Sequence, residues 1–402
     1  MLTEVEIKEN RALVENRADK LVFNAENDAS IAGGDATDVL RKVPMLSVDL
    51  NGNVSLRGSQ NVRILINGKP SGMFSSNVAD ALKMFPADQI KSVEVITSPS
   101  AKYDAEGSGG IINIITKKQN VEGVAGSINA SIGNRQNSLF ANLNVGKGRF
   151  GLSSGAAVFY SVPAEGTNDF TRIDKVTGGT ILQLGTQNSS RLGGNGSVSA
   201  FYDFNGYNSI NSTFTYRGFG MDMDGTTRGQ ISQQGLMDNF VRSNKVDNFF
   251  GGFDWNTDYT HKFSEREGQE ISVGVQYMKD NQNQDYNLLE THDFSLLNRN
   301  TVLNNDGDND EITIQADYVH PFTKAIKLET GAKMIMRNIV SDYNSQAFDI
   351  NTGYTPLTEN FNYFQNVYAG YTSLNFLIAR KYSLITGVRY EQTDIHGSFD
   401  KA

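Results

Sequence analysis

Residues 311–319 read EITIQADYV. In an extended chain, successive side chains point to opposite faces. Ile312, Ile314, Ala316 and Tyr318 therefore share one face, and Glu311, Thr313, Gln315 and Asp317 share the other. The segment is a strand with one apolar and one polar side. Working outward, the same alternation recurs. Ile326, Leu328, Ala332 and Met334 oppose Lys327, Glu329 and Lys333, while Ile271, Val273, Val275 and Tyr277 oppose Ser272, Gly274 and Gln276. It reaches back to Ile128, Ala130 and Ile132 and forward to Tyr382, Leu384, Val388 and Tyr390.

From residue 121 onward this period-2 pattern replaces any helical periodicity. Turn signals divide the stretch into about eleven strands, beginning near residues 122, 138, 149, 191, 207, 246, 270, 309, 326, 362 and 382. Tight links (Gly146–Gly148, Asn205–Gly206, 264–269, 321–325, 379–381) alternate with long polar ones expected at 163–190, 218–245, 281–308 and 341–361. Only the link at 134–137 departs from this pattern by being short. A soluble β-sandwich also alternates, but short turns at one rim and long loops at the other distinguish an outer-membrane barrel. Aromatics gather near strand ends (Phe249, Phe250, Phe253, Trp255; Tyr363, Phe364, Tyr368), as interfacial girdles require. The expected fold is an antiparallel transmembrane β-barrel with a polar lumen. Bacterial single-chain barrels have even strand counts, so about eleven strands of an expected ~22 imply an incomplete barrel, and truncation is expected.

Composition agrees with this reading. The chain has 402 residues, a formal net charge of −9 and no cysteine. The charge argues against a nucleic-acid partner, and the missing cysteines exclude disulfides, thiolate zinc sites and cysteine nucleophiles. The first residues, MLTEVEIKENR, lack a signal peptide's basic head and apolar core.

Before residue 120 the pattern is mixed. Asp35–Asp38 offers caps for a helix through Val39, Leu40 and Val43 that Pro44 stops, and a second helix is expected over Asn77–Phe85. VSLRG and NVRILIN read as strands, the latter followed by an Asn67–Gly68 turn, with Pro70 expected to end the extended chain. Strands are also expected at Ser92–Thr97 and Ile111–Thr116. Together these make a small α+β domain.

Residues 38–118 carry a specific resemblance. The blocks DVLRKVP, SLRG, INGKP, IKSVEVITSPSAKYDAEGSGG and IINIITKK occur in this order. They closely resemble the plug domain of TonB-dependent outer-membrane receptors, and most of all the branch common in Bacteroidetes. The resemblance implies an N-terminal segment at 1–34, a plug at 35–120 and the first half of the barrel at 121–402. It further implies ligand-gated active import of a scarce solute (siderophore, cobalamin, glycan or peptide), driven by a TonB-type periplasmic energy transducer. Glu4, Val5, Glu6 and Ile7 stand where such receptors carry a TonB box, an extended segment that adds a strand to the partner's sheet. Glycines 107, 109 and 110 allow the sharp turn before the last plug strand. Arg57 and Glu94 are candidates for a polar lock, pairing with each other or with barrel charges, because ion pairs exchange readily for water.

No catalytic constellation, cofactor motif or metal-ligand spacing is found. His261, His292, His320 and His396 lie far apart and are expected at rims or in loops, and 306–311 (DGDNDE) lacks the glycine and glutamate positions of a calcium loop. Phe219, Met221, Met223 and Phe294 are candidate ligand contacts on outer loops. Rival readings are a surface binding or signalling protein, a passive porin-like channel and an outer-membrane hydrolase. Energy-dependent uptake discriminates against the porin.

Overall fold

In the computed structural model, the structure describes residues 12–401 except 18–19, 32, 50–51, 71–77, 98–100, 102–108, 118–122, 324, 350–352 and 379–381. The chain forms a small mixed domain followed by one very long antiparallel sheet.

The small domain is built on strands β1 (Val14–Asn16), β2 (Leu21–Phe23), β3 (Leu46–Val48), β4 (Val54–Leu56), β5 (Arg63–Ile66), β6 (Lys69–Pro70), β7 (Ile90–Ile96) and β8 (Ile111–Thr116). Six of them form a sheet in the order β1-β2-β7-β8-β5-β6, while β3 and β4 make a separate ribbon. Helices α1 (Ala36–Leu40) and α2 (Val78–Met84) pack on each other beside the sheet. The core contains Phe23, Val39, Leu40, Leu82, Ile90, Val93, Val95, Ile112 and Ile114. A capping box starts α1: the Asp35 side chain accepts from Thr37 N at 2.8 Å and Asp38 N at 3.3 Å, and Asp38 accepts from Asp35 N. The helix ends at Leu40, ahead of the Pro44 stop, and Val43 enters the core from the following turn.

Two sequence expectations need correction here. Residues 14–34 are not a plain extended lead: Leu21, Val22 and Phe23 are all buried, and β2 pairs directly with β7. Three consecutive apolar residues give a strand buried on both faces, so alternation could not reveal it. Pro70 does not end the extended chain either. Asn67 (φ 52°) and Gly68 (φ 82°) form a two-residue hairpin that brings Pro70 opposite Leu65. Both turn positions need φ > 0, which suits Asn-Gly, and β6 is an edge strand, where proline is tolerated.

The large sheet contains eleven strands, as expected from the turn count, each hydrogen-bonded to its sequence neighbours. They are β9 (Gly123–Ser131), β10 (Gln136–Lys147), β11 (Phe150–Ile173), β12 (Thr180–Asp203), β13 (Asn208–Gln233), β14 (Leu236–Lys262), β15 (Glu270–His292), β16 (Arg299–Pro321), β17 (Ile326–Asp349), β18 (Gly353–Ile378) and β19 (Tyr382–Lys401). The sheet is open, with β9 and β19 at its edges.

The long polar loops are replaced by strand. β13 and β14 run to a two-residue turn at Gln234–Gly235, and β11 and β12 meet at 174–179. At 3.3 Å per residue, the 27 residues of β14 extend about 90 Å, whereas about 9–11 residues cross a membrane. Most of each long hairpin therefore stands beyond the bilayer. Asp306–Glu311 is likewise strand within β16, not a solvated loop.

The membrane boundary is legible on the outward face. Phe214, Trp255, Tyr277, Ile312 and Met336 form one outward row, paired strand by strand. One step further from the short turns, Lys279 faces Asp310, joined by an ion pair at 3.8 Å, and Tyr277 Oη donates to Asp310 at 2.9 Å. Below this line the outward residues of β15 are Ile271, Val273 and Val275; above it they are Asn281, Asn283 and Asp285. Near the short turns an aromatic chain of His261, Phe263, Tyr318, His320 and Phe322 forms the other girdle.

Candidate functional site

The site is the inner wall of the sheet where the small domain docks. Cross-strand register places inward residues in rows. Phe159 on β11, Gly193 on β12, Phe219 on β13 and Phe250 on β14 are directly opposite one another in one row. Phe159 and Phe219 are 4% and 7% exposed and belong to the small domain's own hydrophobic core; Met221 and Phe250 pack against it. Their rings are 6.1 Å apart and inclined by 29°. Gly193 lets them lean together: a Cβ there would stand 2.5 Å from Phe159 and 3.1 Å from Phe219. The shelf meets the domain where α2 contacts β11 and β12. Polar contacts flank it, with Asn129 Nδ2 donating to Asp88 at 3.4 Å and Gln89 lying against Gly155.

Below the shelf, nearer the short turns, the wall is charged. The buried Arg217 on β13 donates to Asp254 on β14 and Asp280 on β15. Glu311 on β16 accepts from Arg337 on β17 at 2.7 Å, and Arg337 Nη1 donates to Gln365 on β18 at 3.0 Å. Charge-assisted bonds thus link neighbours from β13 to β15 and from β16 to β18 and help to fix their register.

Near the far tips a second cluster closes the β14–β15 hairpin. His292, at the outer end of β15, contacts Asp238 at 2.5 Å and Glu290 at 2.9 Å, stacks on Phe240 at 5.3 Å, and Arg242 pairs with Glu290. His292 is not an exposed rim residue: its side chain is 6% exposed. Burial by itself lowers the imidazole pKa, but hydrogen bonds and charge from Glu290 and Asp238 outweigh it and hold His292 above its ordinary range. Burial likewise opposes ionisation of Glu290 and Asp238, yet hydrogen bonds from His292, with Arg242 assisting Glu290, hold both carboxyls below theirs.

Comparison with known families agrees with this geometry. Residues 16–111 match the TonB-dependent receptor plug domain, and residues 261–402 match the outer membrane protein beta-barrel family. The chain belongs to the TonB-dependent receptors of the outer membrane. A probable TonB-dependent siderophore receptor of Acinetobacter baumannii is 32% identical over 107 residues, covering 21% of this chain and 14% of that protein. A ferric enterobactin receptor of Pseudomonas aeruginosa is 31% identical over 111 residues, covering 22% and 15%. The matched segment is thus well under two thirds of either relative's length. Among solved structures, the ferric yersiniabactin uptake receptor of Yersinia pestis aligns over 94% of this chain and 72% of its own, at 12% identity and a TM-score of 0.43.

In this receptor the small domain is the plug and the long sheet is barrel wall. Glu4–Ile7 lie outside the described residues, as do Gly107 and most of the segment before it. Arg57 and Glu94 are not brought together. Arg57 follows the separate β3–β4 ribbon at φ 51°, its side chain against Met45 Sδ at 3.4 Å. Glu94, on β7, pairs with Lys20 at 2.7 Å and accepts from Asn113 at 2.9 Å. Phe219, Met221 and Met223 sit on strand β13 instead of a loop, the first two against the plug core. Phe294 is exposed at the outer turn. Phe159 was missed because its alternating strand signal carries no mark of which inward residue meets the plug.

Proposed function

We propose that this receptor imports a scarce solute across the outer membrane, drawing energy from a TonB-type periplasmic transducer. The observation that carries this reading is the shared apolar core of plug and wall at Phe159 and Phe219, a plug seated against the lumen side of the barrel. A passive channel has no use for a domain docked there.

The plug sheet offers a path for force. Tension applied upstream of residue 12 meets β1 first, a three-residue edge strand, and then β2. The β1–β2 hairpin is tied in by the Lys20–Glu94 pair and by Asn24 Nδ2, which donates to Ala12 O at 2.7 Å and Glu15 Oε1 at 2.9 Å. These are polar contacts that water can replace, whereas the Phe159–Phe219 shelf is apolar and water cannot substitute for it. The edge strand β1, held by such contacts, yields first, whereas β2 keeps Leu21 and Phe23 in the apolar core of the plug.

Deleting residues 3–7 tests the reading. Energised uptake should vanish while surface binding of ligand persists; undiminished uptake in the deletion would remove the proposed box. Uptake that continues in cells lacking the transducer would reject the import mechanism itself.

A further inference from the structure

Strand β11 outruns its neighbour on one side. β10 pairs with it only from Lys147 opposite Phe150 to Gln136 opposite Ser161, where the short link at 132–135 turns back to β9. At that point Val162 N–H donates to Arg135 O at 2.9 Å. A bulge follows, with Val162 and Pro163 set against Ser190 alone, between the Ser161–Arg191 and Ala164–Ser189 pairs. Proline is at home in a bulge because it has no N–H to give. Beyond it the ten residues Ala164–Ile173 pair with β12 in unbroken register. Their other edge meets no strand and receives no backbone hydrogen bond among the described residues.

Every residue from Glu165 to Ile173 is exposed. The outward side chains Glu165, Thr167, Asp169 and Thr171 are polar, so this edge stands in water, where unpaired backbone is tolerated. At 3.3 Å per residue it offers about 33 Å of backbone with free donors and acceptors. Edges are normally blunted by proline, bulges or charge. Here the proline and the bulge lie at the base, and only charge guards the regular length above. Glu165 and Asp169 share the outward face four residues apart, and neither has an ion-pair partner among the described residues. Arg172, on the inward face, is balanced by the nearby Asp174.

We propose that this edge docks an extended segment of another polypeptide, bearing lysine or arginine, which adds to β11 as a further strand. Such a strand lies in line with the wall, above the β9–β10 hairpin and outside the lumen. It is therefore a partner and not cargo, and the inference is independent of the solute imported. Opposite charges on neighbouring strands favour pairing and like charges oppose it. The two carboxylates thus select a strand with basic residues four apart on one face. On the other face Phe170, 52% exposed, offers its ring to an apolar residue of that strand. A second copy of the receptor fits poorly, because antiparallel pairing of two β11 edges would invert one of them in the membrane.

The test uses the intact receptor in detergent and ten-residue peptides that alternate valine with threonine. One carries two lysines four residues apart in place of threonines, and one carries two glutamates there. A third is the lysine peptide N-methylated throughout. The lysine peptide should bind at least about tenfold more tightly than the glutamate peptide. It should slow amide exchange at Ala164–Ile173, leave the β15–β16 turn unchanged, and lose binding when N-methylated. Glu165→Lys/Asp169→Lys, confined to exposed side chains, should reverse the preference between the two charged peptides. Equal binding of both, or binding that survives N-methylation, would overturn charge-selected strand addition. Exchange at Ala164–Ile173 in the free receptor as slow as at Thr180–Ser189 would show the edge already covered and would also overturn it. Self-association of the receptor through these two carboxylates, or transducer-dependent uptake of the peptide, would overturn the assigned occupant.

Discussion

At the residue scale, the plug is seated by few side chains, and their removal should be costly. Phe219→Ala deletes a ring buried between wall and plug core. Such truncations cost about 3–5 kcal/mol in a core, and here the loss should fall on docking. Limited proteolysis should then cut the plug much faster while the barrel resists; unchanged plug protection would show that the shelf does not hold it. Gly193→Val makes the converse change, driving side-chain atoms into both rings, and should release the plug in the same assay. Phe219 also shows what sequence could not supply. Its surroundings read as an outer loop although it lies on strand β13, and which inward residue carries the plug depends on docking between distant segments. Arg57 and Glu94 are kept apart for a related reason. Both belong to the plug, but on separate sheets, and strand order is not written in either local pattern.

The outer cluster gives a pH prediction at this scale. His292 is held above its ordinary pKa, so its contribution is complete below about pH 6.5, the unfolded value, and is lost as pH rises through the higher folded value. Glu290 and Asp238 are held low, so their contribution is present above about pH 4.5 and lost as pH falls through the lower folded values. The β14–β15 tip should therefore be most protected from hydrogen exchange between about pH 4.5 and 6.5, and should loosen above that window. In His292→Phe the loosening above the window should disappear. If it persists, another group is responsible.

At the element scale, membrane-spanning strand segments were legible and the hairpins above them were not. Inside the bilayer one face meets lipid and the other water, which enforces alternation, as in Ile271–Tyr277. Above it both faces are polar, so Asn281–Asp310 reads as an Asn/Asp/Gly loop, although Asn281–His292 belongs to β15 and Arg299–Asp310 to β16, each paired with its neighbouring strands. Hydrogen bonds between neighbouring strands, not burial, build those hairpins. The plug's edge strand β1 is the weak element. Lys20→Ala should destabilise it by an amount between the ~1 kcal/mol of an exposed pair and the ~3 kcal/mol of a buried one. Exchange at Val14–Asn16 should rise while the β2, β7 and β8 amides stay protected; a uniform rise across the plug sheet would show that β1 does not open separately.

At the scale of the whole molecule, the plug is gripped on one side by aromatics, with its N-terminal edge free to yield. The family was legible from residues 38–118, and the barrel independently from alternation and turn spacing. The seat of the plug emerged only from cross-strand register. These 402 residues hold no cysteine, so an introduced pair meets no competing thiol within them. Asp88 and Asn129 already touch across the plug–wall boundary at 3.4 Å. In the intact receptor, Asp88→Cys/Asn129→Cys should bind ligand normally, lose transducer-driven uptake when oxidised, and regain it on reduction. Full uptake through the oxidised, plug-locked receptor would contradict the account.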